Sequence, residues 1–176
     1  MAGLFYPGEA TALRDAVEHA AIAGMPGVQR ADEPHRREHA IEVELPFLQR
    51  ALGRDLFGLV PLDVGEATGE EVAASLASFA DDPQTLDVVS SDLSHLLPYE
   101  AAARRDQATA AAIERLEGDQ VRAEDACGWL PIRGWLALAR QRSLRVERLD
   151  LRNSSDTAAG DRRSVVGYGA WAFVHN

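Results

Sequence analysis

The chain has 176 residues, 46% of them hydrophobic, with a formal net charge of −10 and a pI near 4.9. Such a chain can bury one sizeable core, and its acidity excludes a nucleic-acid footprint. No apolar run approaches the roughly 20 residues a membrane span needs. All 18 basic residues are arginine, and Cys127 is the only cysteine, which excludes an internal disulfide. With no basic and apolar leader in MAGLFYPGEA, the expectation is a cytoplasmic protein.

Residues 9–23 are predicted as a helix, with Leu13, Val17 and Ala20 or Ala21 on one face. Gly24 and Pro26 stop it. The stretch 25–37, rich in Pro, Gly and charge, is predicted as a loop. Residues 39–52 follow as a helix interrupted or kinked at Pro46. LFGLVPLDV (56–64) is a continuous apolar run of the kind a strand buried on both faces shows. Thr68 and Glu71 form a capping-box pattern that opens a helix to about Ala80. TLDVVS (85–90) is the next predicted buried strand. A long Ala-rich helix starts at Pro98 or Tyr99 and ends by Gly118. Residues 128–142 form an amphipathic helix with Leu130, Trp135, Leu138 and Ala139 facing inward. LRVERLDL (144–151) and SVVGYGAWAFV (164–174) are the last strands. Alternating strands and helices predict an α/β fold, a three-layer sandwich with a mostly parallel central sheet whose final strand is parallel or antiparallel. No linker divides the chain.

In open α/β sheets ligands bind beyond the carboxyl ends of the strands. That rule selects Ser90, Ser91, Asp92 and His95 after one strand, and Asn153, Ser154, Ser155 and Asp156 after another. Asp92 and His95, three residues apart, can face each other on one turn. The carboxylate would orient the imidazole, and the imidazole would act as a base near neutral pH. Alternatively Ser91 or Asp92 caps the turn and His95 lies on the surface. Cys127 sits at a predicted helix start, where a sulfur is either a nucleophile or soft metal ligand, or a small buried hydrophobe. His39 begins a helix as a site residue or as an exposed neighbour of its cap. His19, His35 and His175 are expected in solvent. There is no P-loop, dinucleotide fingerprint, nucleophile elbow or HExxH motif.

Taken together, AGLFYP (2–7), EHAIEVELPFLQ (38–49), VVSSDLSH (88–95), ACGWLP (126–131) and NSSDTAAGDRRSVVGYGAWAF (153–173) resemble the Memo-like proteins. Bacterial and archaeal members are often called AmmeMemoRadiSam system protein B. The resemblance covers most of the chain, as a single domain over 1–176 shortened between about 25 and 37. It implies a fold similar to the class III extradiol dioxygenases, with a metal-type pocket at the strand ends. It implies Cys127 as a metal ligand, Asp92 and His95 as pocket residues that with Cys127 would supply three ligands, and His39 on the pocket wall; His95, Asp92 and His39 are the expected catalytic groups. His95 would correspond to the acid/base histidine of the dioxygenases. Iron is the implied metal, with copper or zinc as alternatives.

This sequence also departs from the family pattern. The family carries a long block between its first two helices, with two strands that each end in a metal-binding histidine. Only residues 25–37 stand there, and His35 lies in neither motif. Three protein ligands are the usual minimum for a catalytic metal with an open position. Three expectations follow. The chain is an iron-dependent, dioxygenase-like oxidoreductase; or a remnant without metal that binds a ligand or partner; or a protein using Cys127 as nucleophile with His95 as base. Losing central strands would leave sheet edges that a second copy or another partner subunit covers.

Overall fold

A computed structural model of the chain describes residues 27–29, 31, 33–36, 38–53, 57–80, 82–157 and 160–175. The predicted helix 9–23, with His19, lies outside the described residues. The chain forms two compact units, Met1–Asp63 and Val64–Asn176.

In the first unit a 3-10 turn over Pro34–Arg36 precedes helix α1, Ala40–Leu52. Before α1, the Glu38 carboxylate accepts the N–H groups of His39 (2.7 Å) and Ala40 (2.8 Å). Those two donors would otherwise be orphans of the helix start, and they hold the Glu38 carboxyl below its ordinary pKa. The helix continues through Pro46. Residues 57–63 form no strand, and Val60 and Leu62 are exposed.

The second unit begins with helix α2, Gly69–Ala77, opened by the expected capping box. The Glu71 N–H donates to Thr68 Oγ1 (3.2 Å), and the Thr68 N–H donates to Glu71 Oε2 (2.8 Å). Strand β1 is short, His95–Leu97, and leads into helix α3, Tyr99–Glu114. That helix ends at Glu114, and the chain turns at Leu116, a non-glycine residue at φ 56°, ahead of the expected stop at Gly118. Helix α4, Trp129–Gln141, carries Pro131 in its first turn, where a missing N–H costs little. Strand β2, Arg145–Asn153, a one-turn helix α5, Ser154–Thr157, and strand β3, Val165–Val174, complete the unit.

The sheet has the order β1-β3-β2 and both pairings are antiparallel. Arg145 lies opposite Val174 and Asn153 opposite Gly167, with an irregularity between Arg148 and Asp150. His95 lies opposite Val166. Leu93, Ala112, Ile113, Val121, Ala126 and Leu136 form the core, with Trp129, Val146, Trp171 and Phe173 packed against it. Trp135 meets Phe173 edge-on at 5.6 Å. On α4 the buried positions are Gly134, Leu136, Leu138 and Ala139, so Leu136 takes the inward place expected of Trp135.

The mixed α/β content is as expected, but the sheet is a correction: its three described strands are antiparallel, where a mostly parallel sheet was predicted. Neither 57–63 nor 85–90 joins a ladder. Leu86 is 63% exposed and Val88 48% exposed. An apolar run becomes a doubly buried strand only when strands on both sides take its N–H and C=O groups. Among the described residues no strand pairs with 57–63 or 85–89.

Candidate functional site

The segment after residue 90 turns sharply because its side chains divide between core and surface. Leu93 and Ser94 are buried, at 2% and 0% exposure. Asp92 and His95 therefore project outward together, one turn apart. Their nearest atoms, Asp92 Oδ2 and His95 Nε2, are 3.4 Å apart, and both side chains are nearly half exposed. An exposed pair at that distance orients the ring more than it stabilises the fold.

Cys127 is brought to the same segment from 35 residues away. The Asp92 N–H donates to Cys127 Sγ at 3.3 Å, and the Cys127 N–H donates to the Asp92 carbonyl at 3.3 Å. Ser91 Oγ lies 3.5 Å from the sulfur. Its hydroxyl donates to the Asp92 carbonyl (2.7 Å) and accepts the Gly128 N–H (2.8 Å). A Cβ on residue 128 would lie 2.8 Å from Ser91 Cβ, so only glycine lets the two segments approach this closely. The sulfur itself is exposed.

These contacts decide which donors converge. The sulfur meets the main chain of Asp92, whereas the Asp92 carboxylate faces His95. Among the described residues no group of three or more His, Cys, Asp or Glu side chains is placed to hold a metal ion. Cys127, Asp92 and His95 thus lie on one surface, the sulfur beside the Asp92 main chain and the imidazole beside its carboxylate. Nor is His95 among the described groups hydrogen-bonded to the sulfur. His39 belongs to the first unit, where its Nδ1 is 3.2 Å from Glu42 Oε2.

The second predicted cluster is turned to local structure. Asn153 is buried, and its Oδ1 accepts the Ser155 N–H (3.0 Å). Asp156 accepts the Asn153 N–H (2.9 Å) and the Tyr99 hydroxyl (2.8 Å), which hold its carboxyl below the ordinary range. Ser154 Oγ accepts the Val166 N–H beside β1. A cavity of about 310 Å³, lined by Thr68, Gly69, Trp129, Arg133 and Arg140 among others, has neither Asp92, His95 nor Cys127 in its wall.

Two residues of the site's frame escaped the sequence reading. Asp106 is buried on α3, and its carboxylate accepts the Ser94 N–H at 3.0 Å. Gly167 on β3 lies directly against that carboxylate. The signal for Asp106 was present: it falls in register with Ala102, Thr109, Ala110 and Ile113 on the buried face of α3.

The order of these segments along the chain, from the helix at 40–52 to the strand ending at 174, is matched by comparison with known proteins. The family model for Memo-like protein matches residues 19–172. The chain belongs to the Memo-like family. A MEMO1 family protein of Sulfolobus acidocaldarius is 34% identical over 150 residues, covering 78% of this chain and 51% of the relative. Those of Methanococcoides burtonii (33% over 147 residues; 77% and 55%) and Aeropyrum pernix (35% over 152 residues; 79% and 53%) are similar to it in the same way. This Memo-like chain spans about half the length of the curated relatives it matches. Among its described residues no helix is long and apolar enough to cross a membrane.

Proposed function

We propose that this Memo-like chain carries half of a metal-type pocket and works by binding a partner chain or ligand that completes it. The observation that carries this reading is the stitched Ser91–Asp92–Cys127–Gly128 cluster beside His95. It is an ordered surface of chemically capable groups that stops short of a metal-holding set. The apolar segments 57–63 and 85–89, which join no ladder, support it, since each has apolar side chains, Val60, Leu62, Leu86 and Val88 among them, that a neighbouring strand would cover. Pairing at 85–89 would add a strand to the second unit, in the direction of the parallel, three-layer arrangement expected of the fold. A second copy of the chain is the partner at hand.

A second reading has one observation in its favour: Asp92, His95 and Cys127 do share a surface. In that reading the chain is by itself an iron-dependent, dioxygenase-like oxidoreductase. Thermal melts over a hundredfold range of chain concentration, with and without Fe(II), separate the two. Partner binding adds stability by mass action, about 2.7 kcal/mol when the partner stands at 100 times its Kd. The expected result is a melting temperature that climbs with chain concentration and loses that dependence in Leu86→Lys. A concentration-independent melt that Fe(II) raises in the wild type but not in Cys127→Ala favours the self-contained enzyme.

A further inference from the structure

Asp106 is an acid where the packing would be served by an apolar residue. It is 2% exposed in the middle of α3, and no ion pair to it is found among the described residues. Burying a carboxylate is costly unless its hydrogen bonds repay it. The Ser94 N–H is the group it serves. Ser94 is fully buried, so its amide needs a protein acceptor. The sheet takes the other main-chain groups of this link: the Leu93 N–H donates to the Gly167 carbonyl (2.9 Å), and the Gly167 N–H donates to the Ser94 carbonyl (2.8 Å). That leaves the Ser94 N–H for Asp106 Oδ1 (3.0 Å). The carboxylate sits so close over Gly167 that any Cβ there would overlap it.

Leu93 and Ser94 are the two residues that join Asp92 to His95. We infer that Asp106 is a positioning residue for the Asp92–His95 pair, acting through the main chain of Ser94, and that Gly167 is the glycine that seats it. Helix α3 and strand β3 clamp this link from two sides. The outward side chains on either end of it thereby meet at 3.4 Å. The inference rests on the reading that Asp92 and His95 belong to the working site.

The test uses long-range proton–nitrogen NMR of the histidine rings in the full chain at one fixed pH. The His95 signals are assigned by their loss in His95→Gln, and Asp92→Asn sets their position when the pair is broken. Asp106→Ala is expected to move the His95 ring nitrogens most of the way to the Asp92→Asn position while the β2–β3 amide pattern is kept. Asp106→Asn, which retains an oxygen for the Ser94 N–H, is expected to restore the wild-type position. Gly167→Ala, with the carboxylate intact but displaced, should mimic Asp106→Ala, and it decides the matter should Asp106→Ala not fold. Wild-type ring signals in folded Asp106→Ala, or in Gly167→Ala, overturn the inference and leave the site reading standing. If Asp92→Asn itself leaves the His95 ring unmoved, the pair is absent in solution and the site reading falls with the inference.

Discussion

Two carboxyls near the loop that bears the site, Asp87 and Asp106, are raised by burial, and Asp106 is the one that meets the loop's main chain. Burial pushes the Asp106 carboxyl above its ordinary value of 3.8, against the lowering effect of the Ser94 N–H. The folded protein therefore holds that proton more tightly than the unfolded chain does. This contribution to stability is full below pH 3.8 and is lost as pH rises through the raised folded value. Glu38 and Asp156, whose carboxyls are lowered, act in the opposite direction, their stabilisation being lost as pH falls. Urea unfolding of the wild type and Asp106→Asn across the acid range isolates the Asp106 contribution. The Asn variant should gain relative to the wild type as pH rises above 3.8. Asp106→Ala should cost about 1–3 kcal/mol at neutral pH, the penalty of leaving the buried Ser94 N–H unpaired. At this scale the sequence was legible in part. Asp92 and His95 were readable as neighbours because three residues make one turn. The contact of Cys127 with Ser91 was not, because it depends on a close approach at Gly128 across 37 residues.

Helices and strands differ in how much of their cause is local. Helix α2 begins where its capping box says it must, since Thr68 and Glu71 satisfy each other's neighbours without outside help. Its C-terminal end is set from a distance. Arg142, just past α4, donates to the carbonyls of Ala80 (2.6 Å) and Ala77 (3.2 Å). Ala77 carries one of the orphan carbonyls at the end of α2, and Ala80 lies in the turn that follows it. Arg142→Met, which keeps the stem but removes the donors, should destabilise the second unit by on the order of 1 kcal/mol. Hydrogen exchange should show the loss concentrated at residues 76–80. Strands β2 and β3 were legible from alternation, because one face of an antiparallel sheet is packed and the other is not. The runs at 56–64 and 85–90 misled for the converse reason. Their apolar content describes an environment with strands on both sides, and a run of residues cannot reveal whether those strands are present.

At the scale of the whole molecule, the family was legible because five separate segments in order carry it; four of them, from 38–49 to 153–173, fall but for the final residue in the range that the Memo-like model matches, 19–172, and AGLFYP (2–7) lies before it. The chain spans about half the length of the relatives it matches, and its described segments 57–63 and 85–89 lie outside any ladder. Cys127, Asp92 and His95 are held on one face, yet the sulfur and the carboxylate are engaged with different partners. The central claim is therefore that the described residues do not by themselves bring together a complete metal site. An anaerobic Fe(II) titration of the wild type and Cys127→Ala, side by side, tests it most directly. Equally weak binding by both proteins is the expected result. One equivalent of Fe(II) bound tightly by the wild type and lost in Cys127→Ala would contradict it.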